Sequence, residues 1–160
     1  MANSVSSKGT IVTAETANTT IQRPSSLAIA ARVGWLMTWA FLTVYAWLEV
    51  MEHGYVNGDA VDAVVLTATA VGAFILPDLT FLVGAGQQVE RGYLPVRAVP
   101  FYNAMHRFAP PLVLTTFVGV VFDPLGAFGL AVFVGGLSWM AHVAMDRAAG
   151  YGLRNADGSR

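Results

Sequence analysis

The stretch LGAFGLAVFVGGLSWMAHVAMDRAA, residues 125–149, decides the fold class of this chain. It contains no charged residue before Asp146. At about 1.5 Å per residue, a helix of this length crosses the roughly 30 Å hydrocarbon layer of a bilayer. Gly150-Tyr151-Gly152 follow it directly, and glycine commonly ends a helix. The stretch therefore predicts a transmembrane helix.

Three further apolar stretches precede this one, at about residues 27–50, 60–83 and 100–122. We therefore predict an all-α protein in which residues 27–153 form a four-transmembrane-helix bundle. A polar N-terminal tail over residues 1–26 and a C-terminal tail over residues 154–160 flank it. The composition agrees, because 55% of the residues are hydrophobic and only 12% are charged, about half the charged share of a soluble protein.

The basic residues predict the orientation of this bundle. All nine Lys and Arg residues lie before or early in the first helix, around the connection between the second and third, or at and after the end of the fourth. Four spans place these groups on one side, which the positive-inside rule makes cytoplasmic. We therefore predict that the bundle spans an inner membrane and that both termini face the cytoplasm. A formal net charge of -1 without a basic face excludes nucleic acid as a partner.

Four ionisable residues are expected at membrane depth, where a charged group costs about 2.5–3.5 kcal/mol on insertion scales. Each therefore needs a partner or a function. Two of them are four residues apart, on one face of helix four. The predicted topology brings all four to one depth near the cytoplasmic ends of three helices. They are Asp78, His106, His142 and Asp146.

Two imidazoles and two carboxylates are a suitable ligand set for Zn²⁺, Mn²⁺ or Fe²⁺. A divalent ion would offset the carboxylate charges and lower the pKa of a bound water, which suits hydrolysis of a lipid-like or amphiphilic substrate. Nearby residues are candidates for supporting the ligands or binding an anionic group. They are Asn103, Arg107, Arg147 and Ser138.

A stripe on helix four indicates which face turns toward the other helices. Its members are small or polar and recur at spacings of three or four residues, which permits close helix packing in lipid. The residues between them are mostly apolar, and we expect the stripe to face the bundle interior. It consists of Ala131, Gly135, Ser138, His142, Asp146 and Ala149.

Other interpretations remain open at this stage. The two aspartates can instead form ion pairs with Arg107 and Arg147, while the histidines donate to backbone carbonyls. Haem ligation by the histidines is disfavoured, because His142 has an acidic neighbour one turn away. For function, the alternative to an enzyme is a non-catalytic subunit of a larger membrane complex, or a homo-oligomer. A carrier or proton pathway is disfavoured, because the acidic residues lie near the ends of the spans.

Three sequence blocks carry a family resemblance. They are Leu76-Pro77-Asp78-Leu79, Tyr102-Asn103-Ala104-Met105-His106, and Trp139-Met140-Ala141-His142 followed by Asp146-Arg147. In this order they resemble the bacterial family called domain of unknown function 4260, small four-helix membrane proteins. The resemblance implies a bacterial inner-membrane protein.

A second, more distant resemblance rests on a shorter pattern. The pattern consists of Pro-Asp, then His-Arg, and then a His that is followed four residues later by Asp. It is similar to the pattern of a family of membrane-bound metal-dependent hydrolases. That resemblance implies that Asp78, His106, His142 and Asp146 hold a metal. The chain departs from the pattern after Arg107.

Overall fold

The structure, a computed structural model, describes residues 24–121 and 126–160. The predicted N-terminal tail lies outside the described residues up to residue 23. Within the described ranges the chain is helical and has no strand. The helices are α1 (Ser26–Val50), which continues as a π-helical turn (Met51–Val56), α2 (Ala60–Ile75), which continues as a 3₁₀ segment (Leu76–Gly84), α3 (Val99–Met105), α4 (Ala109–Val121) and α5 (Gly126–Ala149).

Local capping signals start the first two helices. The Ser25 hydroxyl accepts a hydrogen bond from the Ala28 amide at 3.2 Å, and α1 begins at the next residue. The Asp59 carboxylate accepts from the amides of Val61 and Asp62 at 2.7 and 3.0 Å. Each side chain satisfies amides that have no partner inside the helix. Both helix starts are therefore encoded locally.

Three helical stretches are long and apolar enough to cross a membrane: Ser26–Val56, Ala60–Gly84 and Gly126–Ala149. The prediction of an all-helical protein with membrane-spanning helices is confirmed for these three. Helix α4 has 13 described residues and is therefore about 20 Å long, less than the thickness of the hydrocarbon layer. The fourth span and the orientation of the bundle stay predictions.

The stretch predicted as one span at residues 100–122 forms two helices, α3 and α4, which are separated at residues 106–108. Pro110 and Pro111 explain the break. A proline has no backbone N–H, so it cannot donate to the carbonyl four residues earlier. Hydropathy does not register this loss, because both helices remain apolar. The consequence is that His106 lies at the end of a short helix and not inside a long one.

Side chains of α5 bond to the carbonyls at this break. Trp139 Nε1 donates to the Met105 carbonyl oxygen at 2.6 Å, and Arg147 Nη2 donates to the His106 carbonyl oxygen at 3.0 Å. In a continuous helix the amide of residue 110 would donate to the second of these carbonyls, but Pro110 has none. Helix α5 therefore fixes the position of the α3–α4 break.

Helix α5 is the central helix of the described structure. In the most apolar 18-residue part of α5, 56% of the residues are buried. The corresponding values are 6% for Ser26–Val56 and 17% for Ala60–Gly84. Helices α1, α2 and α4 all pack on it. The predicted stripe underestimates this burial, because Leu137, Met140 and Ala144, outside the stripe, are buried as well. The large exposed hydrophobic surface of α1 and α2 is what a lipid environment requires.

Two adjacent glycines allow two neighbouring helices, α2 and α4, to approach α5 closely. A methyl group added at Gly135 would lie 3.2 Å from the side chain of Thr69 in α2. One added at Gly136 would clash with the hydroxyl of Thr115 in α4. Small residues permit this close packing of helices in lipid, where no hydrophobic driving force acts between them.

Candidate metal centre

Three structural elements position the four predicted ligands. Asp78 lies in the 3₁₀ segment, directly after Pro77. His106 follows the last residue of α3, at the break that α5 holds in place. His142 and Asp146 lie one turn apart on α5. Four residues from separate parts of the sequence thus lie close together in the structure.

The side chains of these residues converge. His106 Nε2 lies 3.3 Å from Asp146 Oδ2 and 3.9 Å from Asp78 Oδ1. His142 Nε2 lies 3.6 Å from Asp78 Oδ1 and 3.9 Å from Asp146 Oδ2. The two imidazole rings meet edge to face, with centroids 5.3 Å apart. We refer to the four residues together as the candidate metal centre.

The distances within the candidate metal centre match the spacing of metal ligands. Ligands held at about 2.0–2.1 Å from a tetrahedral metal lie roughly 3.4 Å from one another. The four nitrogen–oxygen distances run from 3.3 to 3.9 Å. Asp78, His106 and His142 each offer one ligand atom within 4.8 Å of those of the other two, whereas Asp146 is not part of this group. These three residues can therefore form a metal-binding group.

Both Nε2 atoms lack a hydrogen bond. His106 and His142 have side chains that are only 2% exposed. Their Nε2 atoms are buried and have no hydrogen-bond partner among the described residues. A buried polar atom left without a partner costs about 1–3 kcal/mol. Two such atoms that point toward the same carboxylates indicate a site for a bound group.

The tautomer of His106 is set by its other ring nitrogen. Nδ1 lies 2.9 Å from the carbonyl oxygen of Tyr102. A carbonyl only accepts, so Nδ1 carries the proton and Nε2 keeps a free lone pair. Metal-binding histidines commonly have such a partner for the second nitrogen.

Aromatic rings hold both imidazoles in place. The Tyr102 ring stacks on His106 at a centroid distance of 3.8 Å. Phe74 of α2 meets His142 edge to face at 5.4 Å. We did not predict either aromatic residue from the sequence as part of the site. The spacing of four residues between Tyr102 and His106 is a signal that would have identified the first.

The candidate metal centre is open on one side. The Asp78 side chain is 53% exposed, whereas that of Asp146 is 18% exposed and both histidines are buried. Asp78 belongs to the segment that leads into the exposed loop at residues 85–93. Asp78 is therefore the most accessible of the four side chains.

The two predicted arginines have different surroundings. The Arg147 guanidinium donates hydrogen bonds to the carbonyl oxygens of His106 at 3.0 Å and Tyr151 at 3.2 Å. Arg107 is exposed, and it makes no hydrogen bond or ion pair with any part of the chain that the structure describes. Over the same part, the basic side chains that lie within 3.9 Å of the Asp78 and Asp146 carboxylates are the two histidines and not an arginine.

Asn103 and Ser138 lie about one turn before His106 and His142, and they have different roles. Asn103 Nδ2 donates to the Arg154 carbonyl oxygen, and Asn103 Oδ1 accepts from the Arg154 amide, both at 2.8 Å. This pair fastens the C-terminal segment, residues 151–160, to α3. The Tyr102 hydroxyl adds a bond to the Gly152 carbonyl at 3.3 Å. Ser138 is buried one turn before His142 and lines a groove between helices.

Comparison with known proteins assigns a family. The family described as Domain of unknown function (DUF4260) matches residues 67–160, more than half of the chain, and includes all four residues of the candidate metal centre. The chain belongs to this family, as the sequence blocks predicted. No curated protein and no solved structure matches the chain. The more distant resemblance to metal-dependent hydrolases stays a prediction.

Proposed function

We propose that this member of the DUF4260 family binds one divalent transition-metal ion at Asp78, His106, His142 and Asp146. With that ion it hydrolyses a lipid-like or amphiphilic substrate. The observation that carries the proposal is the pair of buried Nε2 atoms, without hydrogen bonds, that face two carboxylates. We further propose that the site opens to the cytoplasm of a bacterium, because the arginines are concentrated at this end of the chain's helices.

The charges of the cluster favour a cation over a hydrogen-bond network. Both carboxylates lie within 3.9 Å of the same two imidazoles, while the guanidinium of Arg147 donates to backbone carbonyls and Arg107 is exposed. Like charges held this close to a low-dielectric interior repel each other strongly. A divalent ion held here would neutralise both charges and would accept the lone pairs of the two imidazoles. Zn²⁺, Mn²⁺ and Fe²⁺ all accept this mixture of nitrogen and oxygen ligands.

The geometry suits hydrolysis at the membrane surface. A divalent ion supplies Lewis-acid charge and lowers the pKa of a bound water. His106 and His142 form the buried wall, and the tautomer of His106 directs its lone pair into the cluster. Asp78 lies at the exposed side, where substrate enters. The cluster lies beyond the α-helical part of α2, near one end of a candidate span. A head group in the interface can reach such a position.

Metal content tests the first half of the proposal. The protein is purified in detergent without a histidine tag, loaded with Zn²⁺ and washed, and its metal is measured by mass spectrometry. We expect about one ion per chain for the wild type. His142→Ala and Asp146→Asn are expected to lose most of it, because each removes a ligand.

The third histidine of the chain provides a matched control. His53 pairs with Glu49 at 3.5 Å near the far end of α1. His53→Ala removes the same side chain from a place remote from the candidate metal centre, so metal content is expected to stay at the wild-type value. Wild-type protein without retained metal, or equal loss in His53→Ala and His142→Ala, would overturn the proposed site.

Hydrolysis is tested separately with generic substrates. Detergent-solubilised protein is incubated with p-nitrophenyl acyl esters and p-nitrophenyl phosphate esters in the presence of Zn²⁺, Mn²⁺ or Fe²⁺. We expect metal-dependent release of p-nitrophenol that His142→Ala abolishes and His53→Ala retains. Release that is independent of metal, or equal in both variants, would contradict the hydrolase assignment and leave metal binding as a separate result.

A further inference from the structure

A narrow groove runs between α1 and α2 above the surface of α5. Its volume is about 400 Å³, within the range of pockets that bind small molecules. Thr43 and Val50 lie at its two ends on α1, and Ile75 and Thr67 at the corresponding ends on α2. Its floor is formed by Ser138 and Ala141 of α5. We call this feature the α1–α2 groove.

The groove results from the packing of the three long helices. Helices α1 and α2 both pack extensively on α5 and much less on each other. The side chains that α5 presents between them, Ser138 and Ala141, are small, so the space above them remains open. The walls are apolar apart from threonine hydroxyls. Because all three helices are candidate membrane spans, the groove lies at hydrocarbon depth.

One end of the groove adjoins the candidate metal centre. Ala141 directly precedes His142, and Ile75 lies three residues before Asp78. Phe74, another lining residue, contacts the His142 ring edge to face at 5.4 Å. The opposite end, at Val50 and Thr67, lies farther from the centre along the helices. The groove therefore leads from two of the four predicted ligands into the depth of the span.

The dimensions limit what can fill this space. From Thr67 to Ile75 the groove follows α2 for eight residues, about 12 Å at the rise of an α-helix. The volume of about 400 Å³ spread over about 12 Å leaves a cross-section of roughly 30 Å². An extended hydrocarbon chain fits a cross-section of this size.

We propose that the α1–α2 groove binds the hydrocarbon chain of a single-chain amphiphile whose polar head reaches the candidate metal centre. The inference rests on the proposed function and adds where and how its substrate binds. The chain lies along the helices, which is the direction of acyl chains in a bilayer. The substrate then enters sideways from the membrane, and its head group lies beside the exposed Asp78. The groove thus selects for one chain and for an apolar tail.

Ala70 is the position at which the groove can be blocked. It lines the groove at half depth on α2 and is half-buried. Ala70→Phe fills the space with a ring, and Ala70→Leu fills it partly. Ala68 lies two residues away on α2, is exposed, and does not line the groove. Ala68→Phe adds the same ring to the same helix and is the matched control.

The experiment uses palmitate that carries a diazirine at mid-chain. The full chain, in vesicles of phosphatidylcholine, is irradiated with this probe, and the labelled residues are mapped by mass spectrometry. We expect labelling to concentrate on Val50, Thr67 and Ser138 in the wild type and in Ala68→Phe. We expect it to be lost at these positions in Ala70→Phe and reduced in Ala70→Leu.

Labelling spread evenly over the exposed faces of α1 and α2, or unchanged in Ala70→Phe, would overturn the proposed groove. Metal content and circular dichroism of each variant are measured on the same samples, so a misfolded variant is recognised and replaced in the comparison by Ala70→Leu. Groove labelling in a protein without metal would support this inference while refuting the proposed function. Bound metal without groove labelling would refute this inference and would leave the proposed metal site standing.

Discussion

Replacing Arg147 by methionine is expected to destabilise the protein, although methionine preserves most of the apolar stem. The guanidinium donates to the His106 carbonyl at 3.0 Å from inside the helix bundle. No backbone amide is available in its place, because residue 110 is proline. The substitution therefore leaves a carbonyl without a donor at the α3–α4 break. It also removes the weaker, exposed bond to Tyr151.

The magnitude follows from this one partly buried bond. A buried group left unsatisfied costs about 1–3 kcal/mol, whereas interhelical hydrogen bonds in membranes average about 0.6 and reach about 1.7 kcal/mol. The first value applies to a carbonyl without an alternative donor, and the second is lower because polar groups also find partners in the unfolded, membrane-inserted state. We therefore expect a loss of about 1–2 kcal/mol, a factor of about 5–30 in the ratio of folded to unfolded protein.

Unfolding by SDS in mixed micelles, followed by circular dichroism, measures this loss. Arg107→Met is the matched control, because Arg107 is the neighbouring arginine, is exposed and makes no hydrogen bond with the described residues. Its effect is expected to stay within about 0.5 kcal/mol. Equal stabilities of Arg147→Met and Arg107→Met would refute the argument that Arg147 holds the break. They would favour a free guanidinium that is available for an anion.

Two further predictions concern the C-terminal end of α5. Gly150 has a φ of +86°, a conformation that costs an L-residue about 1–2 kcal/mol, so Gly150→Ala should lower the free energy of unfolding by that amount. Gly72→Ala, inside α2 with nothing within 4 Å, should instead raise it by about 0.5–1 kcal/mol, and the same sign for both would contradict the reasoning. Asn103→Ala removes both 2.8 Å bonds to the Arg154 backbone. It should therefore speed amide hydrogen exchange in residues 151–160 by about tenfold, and unchanged exchange would show that other contacts hold the segment.

Much of the fold could be predicted because its signals are local. Hydropathy identified three stretches that the structure shows as long apolar helices. The end of α5 at Ala149 is read from the glycine that directly follows it. The break in the stretch at residues 100–122 was missed although Pro110 and Pro111 are visible in the sequence. An apolar pattern with prolines is compatible with a kinked span as well as with two helices, and the choice depends on donors from α5.

The candidate metal centre was partly predictable for a related reason. Charged and imidazole side chains at membrane depth are costly, so their presence alone indicated a cluster. The sequence did not reveal the surroundings of the two arginines. Arg147 and Arg107 have the same chemistry and similar positions next to a histidine or an aspartate. Only the packing of α5 against the break decides that one bonds to backbone and the other stays exposed.

The sequence by itself determined that long parts of this protein suit a lipid environment, the approximate residue ranges of three helices, and the identity of the four clustered side chains. These properties depend on hydropathy and on the cost of burying charge, which are summed residue by residue. The tertiary structure alone decided the central position of α5, the open groove above Ser138 and Ala141, and the free lone pair of His106. Each of these arises from contacts between residues far apart in the chain, whose distances no linear pattern contains.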